Sequence, residues 1–437
     1  MKNIKHSYAL KSIISLILLL AVVCSCVSCG VSSAQDAILG KESVRYKLLE
    51  YELPEFNGEL FGAVEICFNE RYYKELEDYL TLAEKTYNAY QEFCLDVVNP
   101  ESVEEVTLAL IDCYIYAVGD RYAFYRTKEE SDDFNSDMSG TFVGIGVSVV
   151  SNILESTIEV LSTEPNSPAA EAGISTGDFI VAVDGVRVSE IGTKETVNRI
   201  RGEVGTSVEV TVDRNGTEIT FTMSRRQITE VTVRYEMIND SKIGYIEITG
   251  FKGNTAAQFI SAVNAVEAAG AEAIIFDLRN NPGGYMTTVQ LMLSYLVPDG
   301  TLIASFSKSK SPIYASSKNQ YEPTDHVLSI PSVVLCNENS ASASELFVGA
   351  MRDYNDMGLF NATIAGQTTY KKGVMQSTIV FNDDSSLTLT TTLYNPPSGQ
   401  NFHEIGVSPD VFIENDEEYL QKAVEIADSM IKEINAK

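Results

Sequence analysis

The sequence predicts a multidomain α+β chain: an N-terminal helical region, a small β-rich domain, and an α/β core of strand and helix layers. Two observations carry this. The 437 residues exceed what a single hydrophobic core organises well, so two or three domains are expected. The hydrophobic spacing also changes twice, from helical between about Gly62 and Asn135, to strand-like between Val143 and Met223, to alternating strand and helix from Ile243 onward.

Residues 1–30 read as an export signal or anchor: Lys2, Lys5 and Lys11 precede an apolar run from Ile13 to Val23, followed by small residues and Cys24, Cys26 and Cys29. Val23-Cys24-Ser25-Cys26 is similar to a bacterial lipoprotein processing site, with Cys26 as the lipidation candidate. Ordinary signal cleavage and an uncleaved anchor stay open beside it. All three place the mature chain outside the cytoplasm, secreted or attached to the outer face of the bacterial membrane.

Residues 31–138 are expected to form a linker and a helical domain, with Val103, Val106, Leu110, Cys113 and Tyr114 at three- and four-residue spacing. Residues 139–226 carry short strand-like runs, Val143–Val150, 156–161, Phe179–Val183, Val208–Val212 and Glu218–Met223, separated by Gly, Asn and Asp turns. From 227 to 437 the runs Ile243–Thr249, Ala273–Leu278 and Val333–Cys336 alternate with helices capped near Asn254, following Gly284 and starting near Ser342, the mark of an α/β layer. A hairpin-like pair, Val374–Phe381 and Ser386–Tyr394, and an amphipathic helix from Glu417 complete the chain.

Composition excludes several chemistries. With 61 acidic and 32 basic residues and a net charge of −29, the chain lacks the basic stripe that phosphate backbones require, so nucleic acid is not expected as a partner. Beyond residue 30 only Cys67, Cys94, Cys113 and Cys336 remain, without the paired spacing of a zinc site, and each reads as a small buried residue. Of three histidines, His6 lies in the signal, leaving His326 and His403. No cofactor or metal is expected, and a Ser-His-Asp triad is poorly supplied.

Three segments could carry chemistry. Gly144-Ile145-Gly146-Val147 can aim backbone N–H groups at a carboxylate while the adjoining strand pairs with an incoming peptide. Ser340, Ser342 and Ser344 alternate between a strand and a helix start, where a nucleophile is exposed and the helix N-terminus favours negative charge. A hydroxyl needs an activating base, and Tyr370-Lys371-Lys372-Gly373-Val374-Met375-Gln376 offers a lysine, which accepts a proton near neutral pH once burial lowers its pKa. Without further context the serines would more often be helix caps and the lysines a solvated loop.

Residues 140–226 resemble a PDZ domain through the order Gly144-Ile145-Gly146, Ser167-Pro168-Ala169-Ala170-Glu171-Ala172-Gly173-Ile174, Gly177-Asp178-Phe179-Ile180 and Val183-Asp184-Gly185. The stretch from Pro331 to Glu345, the Lys372-Gly373-x-x-Gln376 segment and Asp277-Leu278-Arg279-Asn280-Asn281-Pro282-Gly283-Gly284 resemble the C-terminal processing (tail-specific) peptidases of serine peptidase family S41. Asp120-Arg121-Tyr122-Ala123-Phe124-Tyr125, Pro396-Pro397-Ser398-Gly399 and Gly406-Val407-Ser408-Pro409-Asp410 extend the resemblance over about residues 100 to 430.

The resemblance implies a serine endopeptidase that binds polypeptide C-termini and cuts through an acyl-enzyme. It implies Ser342 as nucleophile, Lys372 as general base, Gln376 as its orienting residue, and backbone N–H groups of Ala343 and of Gly283 or Gly284 as the oxyanion hole. Ser340 and Ser344 read as capping or packing residues, Asp277 and Arg279 as scaffold. Where the family has Phe-Gly before the lysine this chain has Tyr370-Lys371, which keeps Lys371 as the fallback base. Implied partners are proteins or peptides with free C-termini and, through the anchor, a membrane; homo-oligomerisation stays open.

Three other readings compete with this one. A peptide-binding scaffold with an inactive core rests on the Tyr370-Lys371 departure alone. Ser307-Lys308-Ser309-Lys310 fits the S-x-x-K of penicillin-recognising enzymes, without their S-D-N and K-T-G segments. An HtrA-like protease would need a triad that two histidines cannot furnish.

Overall fold

In the computed structural model, the described residues are 42–94, 100–152, 157–239, 241–307, 312–316 and 326–436. The signal segment 1–30 with Cys26, and Lys308 to Lys310 of the S-x-x-K match, lie outside them. The chain divides into two compact units: residues 1–134, 305–311 and 373–395, and residues 135–304, 312–372 and 396–437.

The first unit is helical, with helices Val44–Leu48, Gly58–Arg71, Tyr79–Ala89 and Val103–Val118. Ser102 and Glu105 cap the last of these reciprocally, which fixes its start. The spacing read from the sequence buries Val106, Leu110, Cys113 and Tyr114, whereas Val103 is exposed: the first turn projects beyond the core. Phe61 and Phe68 pack on Tyr114 at ring-centroid distances of 5.4 and 5.5 Å. The strands Val374–Val380 and Ser386–Asn395 pair antiparallel within this same unit. In sequence they fall within the 227–437 stretch that reads as the α/β core, and in the fold they group by contact with the N-terminal helices. Leu387 and Leu389 explain the difference, because they share the apolar cluster of the N-terminal helices.

The second unit contains two sheets that matter for function. The first is antiparallel, in the order Val147–Asn152, Thr157–Thr163, Phe179–Val183, Ser207–Arg214, Thr217–Ser224. Period-2 alternation buries Val208, Val210 and Val212 against Ile158, Ile180 and Val183. The run expected at Val143–Val150 is broken by Ile145-Gly146 into the strands Thr141–Gly144 and Val147–Asn152, since Gly146 adopts φ +79°.

The second sheet runs Val233–Met237, Ile243–Ile248, Ala273–Asp277, Ser332–Cys336, Ala362–Gly366, Val411–Phe412, antiparallel at the first pair and parallel thereafter. Ala273–Asp277 and Ser332–Cys336 are buried throughout, as expected for central strands covered on both faces. On one face Phe276 packs with Phe259 and with Phe347 of the Ala343–Asp356 helix. On the other, Ile275, Val333 and Leu335 meet Tyr419, Ala423 and Ala427 of the C-terminal Tyr419–Asn435 helix. No helix among the described residues is long and apolar enough to cross a membrane.

Candidate active site

Loops at the carboxyl ends of three adjacent parallel strands carry the candidate residues. Gly283-Gly284 follow Ala273–Asp277, Ser342 follows Ser332–Cys336, and Lys371-Lys372 follow Ala362–Gly366. In open α/β sheets this end is where ligands bind.

Ser342 sits at the N-cap of the Ala343–Asp356 helix with φ +57° and ψ −112°. A left-handed backbone at a residue bearing a Cβ costs on the order of 1–3 kcal/mol and persists only where neighbours enforce it. Here the enforcing group is Glu345. Its wholly buried carboxylate accepts from Ser342 N at 2.9 Å, Lys372 N at 2.7 Å, Lys371 N at 2.6 Å and Thr369 Oγ1 at 2.6 Å. Burial pushes the Glu345 carboxyl above the usual glutamate range, and these four donors act in the opposite direction. One carboxylate therefore holds the backbones of both the candidate nucleophile and the candidate base.

The other serines of the triplet are consumed by structure. Ser340 Oγ donates to Leu278 O at 2.8 Å and accepts from Asn337 N at 2.9 Å. Ser344 Oγ donates to Asn281 O at 2.9 Å. Both are fully buried, whereas Ser342 is partly accessible.

The glycine turn lies directly against the nucleophile. A Cβ on Gly283 would come within 2.7 Å of Ala341 O and 2.9 Å of Ser342 Cβ, and Gly283 takes φ +102°. Its N–H, however, donates to Asn281 Oδ1 at 2.9 Å and its carbonyl accepts from Phe251 N at 2.9 Å. Gly283 thus serves close approach. On the helix side, Ser344 N is bound to Ala341 O and Ser342 N to Glu345. That leaves Ala343 N–H, a first-turn amide with no intrahelical acceptor, beside Ser342.

Lys371 is exposed with φ +82°, while Lys372 is partly buried. Gln376 belongs to the first unit, where its amide donates to Thr390 Oγ1 at 3.2 Å and to Val374 O at 3.4 Å. Asp277 is buried beneath the site, bonded to Tyr245 Oη at 2.6 Å and to Arg279 Nη2 at 2.5 Å, and the Arg279 guanidinium stacks on Tyr419. No group of metal-ligating residues occurs among the described residues.

Gly144 to Val147 open a groove of about 520 Å³ whose apolar wall includes Ile145, Ile180, Val197 and Ile200. The strand Val147–Asn152 ends its sheet and, among the described residues, pairs on one side only. An unpaired edge beside an apolar groove can accept an extended peptide as an added strand.

Sequence reasoning missed Glu345 and Asn281. Glu345 stands three residues after Ser342, the Ser-x-x-Glu spacing of a capping box, and that signal could have found it. Asn281 has little local signal, since of its partners Ile248 O, Gly283 N, Ala341 N and Ser344 Oγ only Gly283 lies in its own turn and the others come from two distant segments.

Residues 242–413 match the family model for peptidase family S41, and residues 159–214 match a PDZ domain model. A probable CtpA-like serine protease of Staphylococcus saprophyticus is 33% identical over 332 residues, covering 76% of this chain and 65% of the relative. A protein of the same description from Staphylococcus aureus is 34% identical over 332 residues, covering 76% and 64%. The chain therefore spans slightly less than two thirds of the length of these relatives. Among solved structures, a photosystem II D1 C-terminal processing protease superposes with a TM-score of 0.46 at 24% identity, over 81% of this chain and 92% of that one.

Proposed function

The chain belongs to peptidase family S41 and carries a PDZ domain, and on that premise we propose that it is a serine endopeptidase acting on polypeptides captured by their free C-termini. The observation that carries this is the convergence at Ser342: a strained N-cap hydroxyl, the Ala343 N–H beside it, the glycine turn packed against its Cβ, and a lysine loop held by the same buried Glu345.

Ser342 Oγ attacks the scissile carbonyl carbon and its proton passes to the neutral amine of Lys372. The N–H groups of Ala343 and Gly284 stabilise the oxyanion. Lys372 then returns the proton to the departing amine, and a water deprotonated by the same lysine hydrolyses the acyl-enzyme. The groove beside Gly144 to Val147 holds the substrate's end, with its final side chain on the apolar wall.

A fluorophosphonate probe tests the reading: it labels the wild-type chain at Ser342, and Ser342→Ala abolishes both labelling and cleavage of free-acid peptides. Labelling elsewhere, or cleavage surviving in Ser342→Ala, refutes it. We place the mature chain outside the cytoplasm. Mass analysis of the native N-terminus checks this, and an unmodified Met1 in soluble cytosolic protein contradicts it.

A further inference from the structure

The groove that begins at Gly144 to Gly146 is walled by more than the β-rich domain. Val231, Arg234, Thr249 and Lys252, from the domain that carries Ser342, also line it. Of its three cations, Arg201 is exposed and Arg234 lies on the rim with 58% of its side chain accessible, whereas Lys252 is recessed at 19%. Lys252 Nζ lies 2.8 Å from Asp137 Oδ1 and 2.7 Å from Glu230 Oε2. A contact path joins it to the loop: Val231 N, next to Glu230, donates to Glu164 Oε2 at 3.3 Å, and Glu164 N donates to Gly146 O at 2.9 Å.

The two carboxylates holding Lys252 differ. Asp137 is 64% accessible and regains water when released, while Glu230 is 27% accessible. An arriving carboxylate can therefore take the place of Asp137 at modest cost. The backbone of Lys252 is fixed at the other side of the site. Its carbonyl accepts from Thr288 Oγ1 at 3.0 Å, and the preceding Phe251 exchanges bonds with the glycine turn, Phe251 N to Gly283 O at 2.9 Å and Tyr285 N to Phe251 O at 2.7 Å.

We propose that Lys252 completes the peptide site: on binding, a terminal carboxylate displaces Asp137 from the Lys252 ammonium. Occupancy of the groove thereby reaches the residue that adjoins the Gly283-Gly284 turn. This rests on the peptide-binding reading given above and adds to it a cation from outside the β-rich domain.

The test uses a fluorescein-labelled decapeptide ending in valine, as free acid and as amide, with full-length Ser342→Ala to prevent turnover. Adding Lys252→Met should weaken binding of the free acid about tenfold or more, the size of a charged hydrogen bond, and leave the amide unchanged. Lys252→Arg should restore the preference, and Asp137→Asn should tighten free-acid binding. With Ser342 intact, the ratio of kcat/KM for acid over amide should fall toward one in Lys252→Met. Free acid binding as tightly to Lys252→Met as to its parent overturns the proposal. So does equal loss of acid and amide, or no binding of either peptide to the parent. Absence of cleavage by the wild-type chain would refute the peptidase reading and leave the binding comparison valid.

Discussion

Glu345 and Lys372 are joined by a 2.7 Å hydrogen bond from the Lys372 backbone N–H to a carboxylate oxygen that also accepts, at 2.9 Å, from Ser342 N. Glu345→Gln keeps the volume but turns an NH₂ group toward one pair of donors, leaving them unsatisfied in a buried site. The cost should be about 1–3 kcal/mol, with turnover falling about a hundredfold. Anisotropy with a groove-binding peptide should be unaltered, which separates damage at Ser342 from unfolding. Unimpaired turnover in Glu345→Gln would show that the clamp has no catalytic consequence.

Gly283→Ala should be more severe than a typical surface change. The added methyl meets Ala341 O at 2.7 Å and Ser342 Cβ at 2.9 Å, and φ +102° adds left-handed strain. A loss of about 2 kcal/mol or more in denaturant titration and loss of fluorophosphonate labelling are expected. Retained labelling at wild-type rate would mean the turn can shift away from the serine.

Ser344→Ala separates structure from chemistry within the serine triplet. It removes the bond to Asn281 O in a fully buried site, at a cost of about 1 kcal/mol. Labelling of Ser342 should persist. Its disappearance in a folded Ser344→Ala protein would move the nucleophile along the triplet.

Asp178 gives a pH test confined to the β-rich domain. Its buried carboxylate is bonded to Arg214 Nε and Nη2, both at 2.7 Å, and the Arg214 bonds hold its pKa below the ordinary aspartate value of 3.8. A depressed folded pKa means stability present above about pH 3.8 and lost as pH falls through the lower folded value. Acid titration of this domain's unfolding should therefore steepen below pH 3.8, and Asp178→Asn should remove that component. Superimposable acid profiles for the two proteins would exclude the pair as a stabilising element.

Much of this is legible in the sequence, and the exceptions have physical reasons. The central strands Ala273–Asp277 and Ser332–Cys336 declare themselves because a strand buried on both faces must be apolar without interruption. The run Val143–Val150 reads as one strand because apolar alternation continues across Ile145-Gly146; the glycines mark a loop there, and the positive φ of Gly146 fixes where the strand breaks. Likewise the hairpin 374–395 reads as a strand pair, but its grouping depends on Leu387 and Leu389 finding the helical cluster, a contact far from local in sequence. Asn281 is the clearest omission: a satisfied buried amide is invisible until its four partners are assembled.

The final prediction concerns the two lysines. The family pattern has glycine where this chain has Lys371, and φ +82° at that residue supplies the reason, because left-handed backbone suits glycine and strains any residue with a Cβ. What Lys371 contributes to the site is its N–H, bonded to Glu345 at 2.6 Å, and glycine donates the same bond. Lys371→Gly should therefore stabilise the protein, relief of about 1–2 kcal/mol being partly offset by about 0.5–1 kcal/mol of added chain entropy in the unfolded state. A melting temperature raised by about 1–2 °C, with turnover retained, is the expected outcome. Lys372→Ala should instead lower kcat by about a thousandfold or more, to a residual level close to that of Ser342→Ala, since a nucleophile and its base act as one unit. If Lys371→Gly is inactive while Lys372→Ala still turns over peptide, the base is Lys371; full activity in both removes lysine from the mechanism.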